Sequence, residues 1–406
     1  MNCRSCSSAS LESVIDLGSQ PLSNAFLTKE QLSKPEITYP LHAFVCTDCW
    51  LMQVDEYEAP EGIFGDDYAY FSSQSAHWLE HCERYTANII DRFHPANVLE
   101  LASNDGYLLK MFQARGKEVL GIEPARNVAA QAEADGVPTL AKFFGYDLAG
   151  TIEKYDLIVG NNVLAHVPDL NDFISGMQRA LAPAGVITME FPYLGNLLED
   201  LQFDTIYHEH FSYFSLFSAH KAFQRHGLDI FDVELLPTHG GSLRIYACHT
   251  GLYEPTEKVS TLGLAEQTTS LAPYRQFNSQ ARRYKRVLLR RLIDRKDREF
   301  SKLYGDPADP QDVQIVAYGA PAKGNTMLNY CGIGTELIDY CVDTTPYKQG
   351  KYLPGSHIPV YHPDKLSETQ PNLVYIQPWN WQEEILDKLQ FVRDWGGEFL
   401  VRTSYR

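Results

Sequence analysis

The stretch "NVLELASNDGYLLKMFQARGKEVLGIEPA", residues 97–125, limits the fold of this chain more than any other. Val98 to Leu101 is a short apolar run of the kind a parallel sheet buries on both faces. "ASNDG" is a turn of small residues, and "YLLKMFQARG" carries helically spaced apolar residues up to Gly116. "EVLGIEP" is a second buried run, ending at Glu123. Strand, turn, helix and strand in this order make a βαβ unit. The pattern continues: "YDLIVGNNVLAHV" predicts a strand running into a polar turn, and "DLNDFISGMQRALAPAGVITMEFP" a helix, a turn and a strand. Such alternation predicts an α/β domain, a parallel sheet with helices on both faces.

The chain has 406 residues, more than one core accommodates, so two or three domains are expected. "SAHWLEHCERYTANIIDRF" predicts a helix before the first strand, and "GGSLRIYACH" a strand after the last one above. A long helix about Gln267 to Leu303 leads to a second α/β part: "VQIVAYGAPAKGNTMLNYCG", "LIDYCVDTTPYKQG" and "PNLVYIQPWNWQEEILDKL". Within that helix the basic run Arg282 to Arg298 spaces Val287, Leu288, Leu292 and Ile293 as an apolar stripe, which predicts a surface helix. The formal net charge of -17 opposes nucleic acid as a partner. No apolar run is long enough for a bilayer, and "MNCRSCSSAS" lacks the apolar segment of a secretory signal, so no membrane partner and a cytoplasmic location are expected.

Four of the eight cysteines form two C-x-x-C pairs, Cys3 with Cys6 and Cys46 with Cys49. In a reducing compartment such knuckles point to metal rather than disulfides. Four thiolates supply a closed tetrahedral shell for zinc, which would be structural.

The first βαβ unit suits an adenosine ligand, with Glu123 placed to accept both ribose hydroxyls. The dinucleotide fingerprint requires G-x-G-x-x-G, whereas "ASNDG" holds one glycine, and Asp105 would repel a pyrophosphate. Asp105 suits the cationic amino group of S-adenosylmethionine instead. "ELASNDG" resembles the E-x-G-x-x-x-G motif of class I methyltransferases, with Ala102 in place of the first glycine.

"FDTIYHEHFSYFSL", residues 203–216, sets Tyr207, His208, Glu209 and His210 among phenylalanines. Consecutive residues point in different directions, so these four are hard to bury and satisfy together, and a polar cleft is their expected place. A metal site from His208, Glu209 and His210 lacks the i, i+4 spacing of zinc hydrolases. Transfer of a methyl group to carbon needs a base beside an acidified C–H and donors for the enolate oxygen. His210 suits the base, and His166, in "NNVLAHVPD", lies where the strand ends face a cofactor.

Taken with "CRSC", "CTDC", "ELASNDG", "NNVLAH", "YHEHFSYFS", "GGSLR", "YGAPAKGNT" and "VDTTPYKQGKYLPGSHIPV", the chain is similar over nearly its whole length to the nucleotide-sugar C-methyltransferases. These methylate C-3 or C-5 of nucleotide-linked 4-keto-6-deoxy sugars. The resemblance implies a zinc-binding domain at 1–75, a Rossmann-like class I S-adenosylmethionine domain at 76–250, and a C-terminal Rossmann-like α/β domain at 251–406 that helps hold the nucleotide sugar. It implies His210 as base, with Tyr207, Glu209 and His166 about the keto sugar and Tyr68 or Tyr70 reaching in. It implies cofactor contacts from Glu100, Ala102, Ser103, Asn104, Asp105, Gly106, Glu123 and Asn161. Lys323, at the start of the helix in "GAPAKGNT", and Lys348, in "PYKQG", suit a diphosphate. Two rival readings stand: an NAD(P)-linked nucleotide-sugar oxidoreductase or epimerase, against which the "ASNDG" turn argues, and a non-catalytic zinc-bearing binding protein, which would not need Tyr207, Glu209, His210 and His166 clustered.

Overall fold

A computed structural model describes residues 2–59, 71–74, 76–303 and 313–402. The chain divides into two compact units: residues 1–12, 44–196 and 209–270 form the first, and residues 13–43, 197–208 and 271–406 the second. Strands β1 (Leu11–Gln20) and β2 (Tyr39–Cys46) each run from one unit into the other, and β3 (Met52–Val54) follows in the first.

The first unit is built on β4 (Asn97–Leu101), β5 (Glu118–Ile122), β6 (Thr139–Leu140), β7 (Tyr155–Asn161), β8 (Leu181–Pro192), β10 (Leu228–Leu236) and β11 (Ser242–His249); β9 (Ser212–Tyr213) pairs antiparallel with β3. The sheet order is β10-β11-β8-β7-β4-β5-β6. β4, β5, β6, β7 and β8 are mutually parallel, whereas β11 runs antiparallel to β8 and β10 antiparallel to β11. This is the Rossmann-like sheet of class I methyltransferases, closed on one side by a hairpin.

Both faces of the sheet are covered, which is why its strands are apolar at successive positions. Val98, Leu157 and Val186 pack on one side with the helices Ala76–Phe93 and Tyr107–Gln113. Leu99, Ile158 and Ile187 pack on the other with Leu170–Ala180 and Leu216–Gln224. The helix Leu170–Ala180 starts where the Asp169 carboxylate accepts the Asp172 N–H.

The second unit carries a parallel sheet of β12 (Ile315–Tyr318), β13 (Tyr340–Val342), β14 (Val360–Tyr361), β15 (Leu373–Ile376) and β16 (Glu398–Leu400), in the order β14-β13-β12-β15-β16. It is a second Rossmann-like sheet, with the helix Ala322–Cys331 following its central strand. The long helix spans Leu271–Leu303. Its buried stripe is Tyr274, Phe277, Ala281, Tyr284, Leu288 and Leu292, while Ile293 is exposed. Ile293 was expected on the apolar side; one position past Leu292 turns it through about 100° and out of the stripe.

Candidate active site

Each cysteine knuckle closes on a residue in the left-handed region, Ser7 (φ 60) after Cys6 and Trp50 (φ 59) after Cys49. The Ser7 and Trp50 N–H groups donate to the carbonyls of Cys3 and Cys46, both at 2.8 Å. The four sulfurs lie within 4.8 Å of one another, with Cys3 and Cys49 at 3.4 Å and Cys6 and Cys46 at 3.5 Å. A zinc tetrahedron with bonds of about 2.3 Å has S–S edges of about 3.8 Å, so the set fits Zn2+. Among the described residues no other group of three or more His, Cys, Asp and Glu is placed to share an ion. The first knuckle is held by Arg4, whose guanidinium donates to the Pro168 and Val54 carbonyls at 2.8 and 2.7 Å, and by Arg225, which donates to Ser5 Oγ at 2.8 Å.

After β4 the turn runs through Ala102 (φ 55), Asn104 (φ 49) and Gly106 (φ 74), three left-handed residues of which one is glycine. Ala102 therefore takes the conformation for which glycine is suited, at a steric cost. The Asn104 and Ala125 N–H groups donate to the two oxygens of Glu123, each at 2.9 Å, and the Ser72 N–H donates to Asn104 Oδ1 at 2.8 Å. Gly121 admits the turn: a Cβ there would stand 2.4 Å from Ser103 Oγ.

Glu100, Asp105 and Glu123 are all buried. Burial pushes the Glu100 carboxyl well above the usual range, and the Glu123 and Asp105 charges push it the same way. Burial also raises Glu123, against its two N–H donors. Glu100 Oε2, Ser103 Oγ and Asp105 Oδ1 are buried with no hydrogen-bond partner among the described residues. Acceptors short of donors, in a region of crowded negative charge, fit a ligand that brings hydroxyls and positive charge. S-adenosylmethionine has both; a pyrophosphate has neither.

At the carboxyl end of β7, Asn161 is followed by the left-handed Asn162 (φ 55) and the short turn Leu164–His166. His166 donates from Nδ1 to the Glu209 carbonyl at 2.7 Å, which leaves its Nε2 unprotonated in the neutral ring. The His166 and His210 rings meet edge to face, centroids 4.6 Å apart at 73°, and Tyr213 lies 6.2 Å from His210. Burial pushes His166 down to about 4 against that hydrogen bond, so it is neutral near pH 7.

His208, Glu209 and His210 are buried, at 4%, 8% and 8% exposure, while Tyr207 is half-buried, so the four are not all buried together. The run is also divided: Tyr207 and His208 belong to the second unit, Glu209 and His210 to the first. His208 has a structural role, its Nε2 lying 3.3 and 3.2 Å from the Tyr39 and Pro40 carbonyls. Tyr68 and Tyr70 lie outside the described residues.

In the second unit, Lys323 donates to Asn380 Oδ1 at 2.8 Å and lies 4.6 Å over the Trp379 ring, and burial pushes it down to about 8. Lys348 donates to the Ala320 carbonyl at 3.0 Å and stands 3.4 Å from Asp343 Oδ2.

Sequence reading missed a buried cluster beside the end of β8. Asn161, Glu190 and Arg244 are aligned across β7, β8 and β11. Glu190 Oε2 accepts from Arg244 Nη2 at 2.5 Å and from His81 Nε2 at 2.9 Å, and Oε1 accepts from the Thr238 hydroxyl at 2.8 Å. Burial alone would raise Glu190, but His81 and Arg244 hold it at about 2. The available signal was a lone charge in each of two apolar strands, "VITMEFP" and "SLRIYAC".

The families described as a zinc binding domain, a methyltransferase domain and a C-methyltransferase C-terminal domain match residues 3–64, 76–233 and 237–403. The C-methyltransferase NovU of Streptomyces niveus is 35% identical over 410 residues, covering 98% of this chain and 94% of NovU. Among solved structures, magnesium protoporphyrin IX methyltransferase from Synechocystis aligns over 47% of this chain and 92% of its own at 17% identity, with a TM-score of 0.35. An S-adenosylmethionine-dependent methyltransferase from Clostridium acetobutylicum aligns over 43% and 92% at 12% identity, also with a TM-score of 0.35. The chain belongs to the C-methyltransferase family that combines a zinc-binding domain with a class I, S-adenosylmethionine-dependent catalytic domain.

Proposed function

We propose that the acceptor is a nucleotide-linked 4-keto-deoxysugar, methylated at the carbon beside the keto group, C-3 in preference to C-5. His210 takes the proton from that carbon. The observation that carries this reading is the His166–His210 pair. A neutral His166 beside His210 leaves the proton acceptor with no second positive charge to repel it. Glu209, whose carbonyl sets the His166 tautomer, and Tyr207 complete the acceptor side.

S-adenosylmethionine, when bound, supplies an electrophilic methyl group. Glu100, Ser103, Asn104, Asp105, Gly106 and Glu123 would hold it, with Ala102 in the same turn and Asn161 at the carboxyl end of β7. Zn2+ on Cys3, Cys6, Cys46 and Cys49 has a closed shell and takes no part in the proton transfer. In this reading residues 1–75 are the stapled segment, 76–250 bind donor and base, and 251–406 supply nucleotide contacts through Lys323 and Lys348.

The test is incubation with S-adenosylmethionine and a panel of dTDP- and GDP-linked 4-keto-6-deoxy sugars, followed by mass and NMR analysis. A product heavier by one methyl, with the new carbon on C-3, is expected. No methylated sugar from any panel member would reject the acceptor class, and methylation on C-5 would reject the assigned carbon.

A further inference from the structure

Two non-glycine residues with left-handed backbones meet through their side chains in the first unit. Asn162 (φ 55) and His239 (φ 54) bring Nδ2 and Nε2 to 3.1 Å. His239 sits between Thr238 and two glycines of positive φ, Gly240 (φ 92) and Gly241 (φ 112). Strained backbones of this kind persist where surrounding structure imposes them, and they cluster at functional sites.

Both turns are tied to Glu190. Its backbone carbonyl accepts the Asn162 N–H at 2.7 Å, and its Oε1 accepts the Thr238 hydroxyl at 2.8 Å. Its other oxygen is held by Arg244 and His81. Trp78 stacks on His81, centroids 5.0 Å apart at 26°, and also lies 5.5 Å from the His239 ring. The turn after β7 and the turn before β11 are thus both tied to the buried Glu190, the first through its backbone carbonyl and the second through its carboxylate, and the His239 ring is braced from two sides. A turn alone would be served more cheaply by asparagine or glycine at 239. Asn162 Oδ1 is buried with no hydrogen-bond partner among the described residues, so a donor is wanted beside the pair. The loop that carries Asn162 also carries His166, whose ring meets His210.

We propose that His239 is an acceptor-positioning residue: with Asn162 it orients an oxygen of the acceptor, a hydroxyl or the keto group, at the carboxyl end of β7 and β8, and Glu190 sets its pose through Thr238. This rests on the ketosugar reading above.

The test uses the full-length enzyme with S-adenosylmethionine and the nucleotide ketosugar that the panel identifies as acceptor. KM and kcat for the sugar, S-adenosylhomocysteine affinity by calorimetry and Tm are measured for His239→Ala, Thr238→Val and Thr238→Ser. His239→Ala should raise the sugar KM by about tenfold or more, the effect of losing one polar contact, with S-adenosylhomocysteine affinity unchanged. Thr238→Val, which deletes only the hydroxyl, should raise KM by about threefold or more, and Thr238→Ser should restore it. Wild-type KM in both His239→Ala and Thr238→Val overturns the inference. So does a rise in KM that comes only with lost Tm and lost S-adenosylhomocysteine affinity. Should His239→Ala fail to fold, equal kinetics in Thr238→Val and Thr238→Ser overturn it. If the wild-type enzyme methylates no panel sugar, the acceptor reading falls and this inference with it; if it methylates one and the variants are unchanged, only the inference falls.

Discussion

At the scale of single residues, chemistry is assigned by small differences in surroundings. His166 and His210 are in ring contact, yet one is tied to a carbonyl and the other is proposed to move a proton. His210→Asn should lower kcat by about a hundredfold or more and abolish deuterium uptake at the acidic sugar carbon in D2O. Uptake at the wild-type rate would remove His210 as the base. Ala102 illustrates the opposite case, a residue that fits its conformation poorly. Ala102→Gly should raise stability by about 1 kcal/mol, less the entropy that glycine costs, with S-adenosylhomocysteine binding retained; chemical denaturation measures it. The motif position was legible in "ELASNDG", but the left-handed backbone was not, because alanine gives no hint of it.

At the scale of elements, the two knuckles and the Glu190 cluster do comparable work by different means. A metal ties the knuckles. Cys3→Ser or Cys46→Ser should release the bound zinc and lower Tm by about 5 °C or more; unchanged zinc stoichiometry would reject the site. A buried carboxylate ties β8, β11 and the helix Ala76–Phe93. Glu190 has a folded pKa of about 2 against 4.5 for a free glutamate, so the unfolded chain binds more protons between those values. Its stabilising contribution is complete above pH 4.5 and is lost as pH falls through about 2. Glu190→Gln should flatten the fall in stability across that window, measured as Tm against pH, while lowering stability at neutral pH. The knuckles were visible because C-x-x-C is a local pattern. The Glu190 cluster joins residues 81, 190, 238 and 244, and nothing local links them.

At the scale of the whole molecule, the two Rossmann-like sheets belong to separate compact units, and the proposed tasks separate with them. The residues proposed to bind the donor and move the proton are in the first, and Lys323 is in the second. Lys323→Ala should therefore raise the sugar KM by about tenfold and leave S-adenosylhomocysteine affinity unaltered, whereas Asp105→Ala should do the reverse; calorimetry and initial rates separate the two.

The sequence by itself determined the strand–helix alternation, the cysteine knuckles and the acidic, glycine-poor turn, because each follows from contacts or ligands within a few tens of residues. Only the tertiary structure decided that "YHEH" is split between two units, that His208 serves two carbonyls while His210 meets His166, and that the Glu190 carboxylate holds Thr238, the residue before His239. Those arrangements arise where distant segments are packed together, and the free energy of burying a charge or a ring depends on every neighbour that packing brings.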